Sequence, residues 1–189
     1  MFFILRWFEM TILNVDLGLT KLNSLGKEER WNGYIAIENE KYSYEDETLG
    51  NISVKFFKGV MEGEKQLLLG YIKKMPNLSV MLFWKVEDDC EKVPCIFELT
   101  SKDDKTFEGV KYPGTSYLPS KDKIKLSVAR EVEGKERERV KKLFKISFDN
   151  IENLPSNMQY AVKEFKENKK MVIENIKNRN LNDVGFIKD

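Results

Sequence analysis

The sequence predicts an α+β fold: an antiparallel β-sandwich or partly open β-barrel, followed by a packed C-terminal amphipathic helix. Three observations carry this reading. Between Trp31 and Asp149, short runs of β-branched and aromatic residues recur, punctuated by Pro, Gly and Asn. From Leu154 onward the apolar period changes from two to that of a helix. An apolar content of 41% and an aromatic content of 12% over 189 residues suffice for the core of one domain. No repeat, low-complexity tract or linker divides the chain. Residues 1–189 therefore read as a single domain with an N-terminal segment (1–30), an antiparallel β region (31–149) and a C-terminal helix (156–179).

The segment Met1 to Met10 is very apolar, but Arg6 and Glu9 interrupt it and no small-residue cleavage site follows. It is too short to span a bilayer and reads as a buried terminal strand or short helix, with Met10 as an alternative start. Trp31 to Ile37 reads as a strand, with Lys41 to Tyr44 as its return across Glu38-Asn39-Glu40. Asn51 to Phe57 alternates Ile52, Val54 and Phe56 after a Gly50-Asn51 turn signal. Gln66 to Met75 and Leu78 to Val86 flank Pro76-Asn77, a pair suited to a tight hairpin turn. The second of these strands is apolar on both faces, which places it centrally. Pro94 to Ser101 and Thr106 to Tyr112 form another hairpin around Lys102–Lys105.

A last hairpin at Gly134 would set Leu126 against Phe144 and Ile124 against Ile146. The same register brings Glu131 to Arg139 and Glu133 to Arg137. The alternative there is a helix over Glu136 to Lys145, with Val140, Leu143 and Phe144 on one face. Ser156 with Gln159 gives a capping box. Met158, Val162, Phe165, Val172 and Ile176 then form an apolar stripe that must cover the sheet.

The chain contains no histidine, which removes imidazole bases, Ser-His and Cys-His pairs and most transition-metal sites. No phosphate loop, nucleophile elbow or Rossmann fingerprint is present. Cys90 and Cys95 read as reduced, small apolar residues of a cytoplasmic protein, with a local disulfide as the alternative. The acidic runs Glu45-Asp46-Glu47 and Glu87-Asp88-Asp89 lack cation-loop spacing and read as solvated turns. The expectation is accordingly no catalytic set, no metal and no cofactor.

Only six of the 32 basic residues are arginine and the net charge is +1, which speaks against nucleic acid as the partner. Two features suit contact with a protein. The loop around Tyr112, Thr115, Tyr117 and Leu118 is stiffened by Pro113 and Pro119 and offers amphipathic rings. The segment bearing Arg130, Arg137 and Arg139 is basic, although glutamates interleave it. No segment reads as membrane-spanning, and a homodimer is compatible with the pattern.

Trp31-x-Gly33 opens a strand, and the final helix reads Gln159-x-Ala161-Val162-x-x-Phe165-x-x-Asn168. Together these resemble small bacterial domains that end a β-sheet in such a helix and are associated with polymorphic-toxin immunity. The resemblance covers about a quarter of the chain. Here the insertion between the two pieces is longer, and the charge is balanced rather than acidic. What the resemblance implies is a bacterial or phage factor, not an enzyme, that binds a toxin or a defence or counter-defence component and occludes it sterically. The readings beside it are a small-ligand-binding β-barrel, with Phe107-x-Gly109 lining its cavity, and a single-stranded nucleic-acid-binding protein.

Overall fold

Leu13, Val15, Leu17 and Leu19 alternate with Asn14, Asp16 and Gly18, a period of two that makes one face of an extended segment apolar. That segment is β1, Thr11–Thr20. The computed structural model describes residues 10–21, 25–63, 66–87, 94–114, 118–149 and 151–183, with side chains described as far as Arg179. After β1 come β2 (Glu28–Ile37), β3 (Tyr42–Asp46), β4 (Gly50–Met61), β5 (Gln66–Met75) and β6 (Leu78–Glu87). Then follow β7 (Cys95–Ser101), β8 (Thr106–Tyr112), β9 (Lys123–Glu131), helix α1 (Gly134–Phe148), a 3-10 turn at Ile151–Asn153 and helix α2 (Ser156–Asp183). Met1 to Glu9 and Cys90 lie outside the described residues.

The sheet is a closed antiparallel barrel, not a sandwich. Strand order is β2-β1-β9-β8-β7-β6-β5-β4-β3, and β2 also pairs with β4, which closes eight strands into a ring. The ninth strand, β3, pairs with the first half of β4, while β2 takes the second half of the same edge. Lys41 to Tyr44 is therefore not the return strand of Trp31 to Ile37. The chain crosses Glu38 to Lys41 without turning back, and β3 turns into β4 at residues 47–49. Asp46 makes that turn by accepting hydrogen bonds from the Thr48 and Leu49 amides at 2.9 and 3.0 Å. Gly50 closes it with φ +84°, a left-handed backbone that glycine adopts without steric cost.

An eight-stranded barrel is just wide enough for side chains to fill, and this one is filled. Leu17, Ile35, Phe57, Leu68, Phe83, Phe97, Phe107 and Leu126, one from each strand, meet inside it. Phe83 and Phe97 stack with centroids 5.0 Å apart. Room for these rings comes from inward glycines. Gly70 lies across from both Phe57 and Phe83 in the ladder, and a Cβ there would sit 2.2 Å from the Leu82 carbonyl oxygen. Phe107 and Gly109 do face inward, as a ligand-lining strand requires, but onto packed side chains. Trp84 points outward and takes no part in the filling.

Polar groups close both ends. At one, Lys85 is buried, with its ammonium 4.1 Å from the Trp31 ring centre and paired to Glu87. Buried ammonium groups need such partners to offset desolvation. At the other, Ser79 Oγ donates to Asp104 at 2.5 Å, and Asp103 closes the β7–β8 turn by accepting from the Lys105 and Thr106 amides, both at 2.9 Å. The Thr106 amide, followed by that of Lys105, holds the Asp103 carboxyl down at about 2. A folded-state pKa below the unfolded value of 3.8 contributes stability that is complete above that value and fades as pH falls towards about 2. The Tm difference between the wild type and Asp103→Ala should therefore narrow as melts are taken from about pH 5 down to about pH 2. A constant difference across that range would show that the carboxylate is not what holds the turn.

The expected hairpin at Gly134 is instead the start of α1. Val140, Phe144 and Phe148, spaced i, i+4, i+8, are its buried residues, whereas Ile146 is 71% exposed. Leu126 and Ile124 face into the barrel against Leu17 and Leu19 of β1, so neither meets Phe144 or Ile146. The edge that a hairpin partner would have occupied is taken by a strand more than a hundred residues away. In α2, Gln159 does not complete a reciprocal capping box. Its amide donates to the Leu154 carbonyl at 2.7 Å and the Glu152 carbonyl at 3.3 Å, tying the helix to the preceding turn.

Candidate docking surface

The two helices cover only part of the barrel's outside. Val140, Phe144 and Phe148 of α1 pack with the outward residues Ile12, Ala36 and Val60, and Met158, Ala161 and Val162 of α2 join the same cluster through Leu67, Leu69 and Val86. The second half of α2 covers the β3–β4 flap, where Phe165, Val172 and Ile176 meet Tyr44, Ile52 and Phe56. This cover stops at β6. Among the described residues the helices pack mainly on β3, β4, β5 and β6.

At that margin lies a groove of about 300 Å³ between α2 and strands β5 and β6. Tyr71, Leu82 and Trp84 form its floor, with Phe165, Met171 and Val172 as its helical wall. Met171 is 60% exposed. Burial is the largest cause raising the Tyr71 hydroxyl pKa, and the Glu98 carboxylate follows, which places Glu98 within electrostatic reach of the floor. Lys169 also lines the groove, but both oxygens of Glu38 hold its ammonium at 2.7 and 2.8 Å.

The floor continues across the sheet. Trp84 pairs with Ile96 and Ile96 with Tyr112; Leu82 pairs with Glu98 and Glu98 with Val110. Cross-strand partners share a face, so Trp84, Ile96, Tyr112, Leu82 and Val110 form one outward apolar strip. Ile96, Val110 and Tyr112 are each half-buried. The strip leads into the loop after β8, where Leu118 is 76% exposed. Tyr112 thus belongs to this surface and Leu118 follows in the next loop, whereas Thr115 and Tyr117 lie outside the described residues.

The arginines are elsewhere and occupied. Arg130 makes two bonds to Glu136, at 2.5 and 2.7 Å, and the Tyr34 hydroxyl donates to the same carboxylate at 3.1 Å. Arg139 binds the Tyr34 oxygen at 2.8 Å and Glu62 at 3.2 Å, and Arg137 binds the Met10 carbonyl at 2.7 Å. The Arg130 hydrogen bonds, first among several causes, keep the Glu136 carboxyl below its usual range. These contacts fasten α1 to β9, β2, the residue just before β1 and the β4–β5 turn. Arg130 sits at the far end of β9 from Leu118, roughly 25 Å along the strand at the usual rise per residue. The structure does not bring the arginines and Tyr112 onto one surface.

The barrel's Lys85 end keeps a polar recess of about 180 Å³, bordered by Lys21, Glu29, Trp31, Cys95 and Lys111. Lys21 and Glu29 pair across it at 2.6 Å, and Cys95 is a free cysteine. Among the described residues no group of three His, Cys, Asp or Glu side chains could hold a metal ion, and no helix is long and apolar enough to cross a membrane.

Sequence reasoning singled out the Tyr112–Leu118 loop and did not anticipate the groove, whose parts come from β4, β5, β6 and α2. The one local signal was the strand Leu78 to Val86, apolar on both faces. Its inward residues fill the barrel, and its outward Val80, Leu82 and Trp84 had to be covered by something. Compared with protein families, curated proteins and solved structures, the chain matches no family model, no curated protein and no solved structure.

Proposed function

We propose that this chain is a non-enzymatic protein-binding factor, of the immunity or defence/counter-defence type, that acts by sterically occluding a protein partner. The observation that carries the reading is the apolar strip from Met171 through Leu82 and Trp84 to Ile96 and Tyr112, which runs beyond the edge of the helical cover among the described residues. Contiguous exposed apolar surface rimmed by polar residues marks interaction sites. The aromatic filling of the barrel among the described residues speaks against the small-ligand reading. The engaged arginines leave single-stranded nucleic acid without its cationic track.

The test is a photo-crosslinking amino acid placed at Met171, Ile96 or Leu118, and separately at Lys125 on the bare polar face, in the native host. The expected result is one protein adduct at the first three positions, absent at Lys125 and lost when Leu82→Glu is added. The purified chain should also block that protein's activity. Equal adducts at all four positions, or turnover of a substrate by the chain itself that a Lys or Glu substitution abolishes, would sink the proposal.

A further inference from the structure

The charges around the groove narrow the chemistry of its occupant, on the reading that the groove is a docking site. Asn168, Met171 and Asn175 line it from α2. Glu164 lies four residues before Asn168 and seven before Met171, so helical spacing puts it on the same face. Tyr160, 56% exposed, and Glu167 sit one turn from Glu164 along that flank. On the opposite bank stands Glu98 of β7, exposed, directly across the ladder from the floor residue Leu82.

Among the described residues neither Glu98 nor Glu164 has an ion pair. Glu167 has only a loose one, 3.8 Å to Lys170 with both side chains about 70% exposed. Exposed pairs of that kind contribute little. Among the described residues lining the groove, Lys169 is the cation, and it does not balance them. The Lys169 ammonium is bound to Glu38, and Lys73, the next outward residue along β5, does not line the site. The result is an apolar trough with carboxylates on both banks in a chain whose net charge is +1.

We infer that the groove receives a cationic amphipathic helix of a protein partner. Its apolar stripe would lie on Leu82, Trp84 and Met171, and its lysines or arginines against Glu98, Glu164 and Glu167. Such a helix extends the layer that α1 and α2 leave unfinished at β6, in the helix-in-groove mode. Carboxylates on both banks, opposite in sign to the helix's cations, fix its register and speed its capture. An anionic membrane surface is the wrong sign for this trough.

The test uses the full chain and two fluorescein-labelled 18-residue amphipathic peptides of identical Leu pattern, one with Lys and one with Glu at every polar position. Fluorescence anisotropy should show binding of the Lys peptide only. Affinity should fall about tenfold or more in Glu98→Lys/Glu164→Lys/Glu167→Lys, the size expected of interfacial hot spots. It should stay within about twofold in the control Glu40→Lys/Glu45→Lys/Glu133→Lys, which makes the same change in net charge at exposed sites away from the groove.

Several results overturn the inference. Binding of the Glu peptide as tightly, still abolished by Met171→Asp, would keep the docking site and remove its cationic partner. Equal losses in the two triple variants would reduce the effect to net charge. No binding until residues 1–9 are deleted would assign the groove to the chain's own N-terminal segment, and a dimer dispersed by Met171→Asp would assign it to a second copy. If neither peptide binds while the crosslinked partner adduct persists, only the helical cationic chemistry fails.

Discussion

Gly70→Ala should destabilise the protein by about 3 kcal/mol, a fall in Tm of about 6 to 12 °C for a domain of this size. The ladder puts Gly70 between Phe57 and Phe83. An added Cβ would lie 2.2 Å from the Leu82 carbonyl oxygen, 2.5 Å from the Phe83 Cβ and 2.7 Å from the Phe83 Cα. None of these atoms is the tip of a flexible side chain. The β5–β6 pairing must open, and the rings stacked beside it lose their places. Gly18→Ala is the control, since its Cβ would meet nothing closer than 3.6 Å, and it should change stability by no more than about 0.5 kcal/mol. Equal, small effects in thermal melts would mean that close strand approach is not what lets the barrel hold its aromatic filling.

Phe83→Ala removes the ring that stacks on Phe97 and meets Phe57 edge-on, with centroids 5.0 and 6.1 Å away. The expected cost is about 3 to 5 kcal/mol, because a closed ring of strands cannot collapse into the space. The resulting cavity is lined by apolar side chains and should remain dry, able to take benzene or xenon. Benzene should therefore raise the Tm of Phe83→Ala, by up to about 2.7 kcal/mol of added stability at a hundredfold excess over Kd, and leave the wild type unmoved. A wild-type shift of similar size would reveal interior space and revive the ligand-binding reading of the barrel. Met171→Ala, on the surface, should be near neutral in the same melts.

The hairpins β5–β6 and β7–β8 and the long final helix were legible in the sequence because each is decided locally. Pro76-Asn77 sets one turn, Lys102–Lys105 the other, and a seven-residue apolar repeat the helix. The alternation of Leu13, Val15, Leu17 and Leu19 is equally regular, yet the β region read from the sequence begins only at Trp31. The Gly134 region shows a deeper limit. Its glutamates and arginines satisfy a hairpin register and a helix equally well in pairwise terms. What decides between them is that β1, from the other end of the chain, already occupies the β9 edge. Val140, Phe144 and Phe148 are then free to form a stripe on the outside. The same non-locality hid the groove. Trp84 and Leu82 read as core residues of a central strand, and only the point at which α2 ends its cover shows them to be surface.

The β1–β9 seam also determines how the chain must reach this state. Leu17 pairs with Leu126 across more than a hundred intervening residues, whereas β4 to β9 join through neighbours in sequence. Such long-range closure is entropically slow, so the meander should assemble first and wait for its last strand. During that wait the free edges of β1 and β9 are templates for any other extended chain. Arg137, reaching from α1 to the Met10 carbonyl just before β1, acts after the seam has formed and is the latch on its outer side. Weakening that latch should show less in equilibrium stability than in the rate of unfolding and in the yield of monomer on refolding at high concentration.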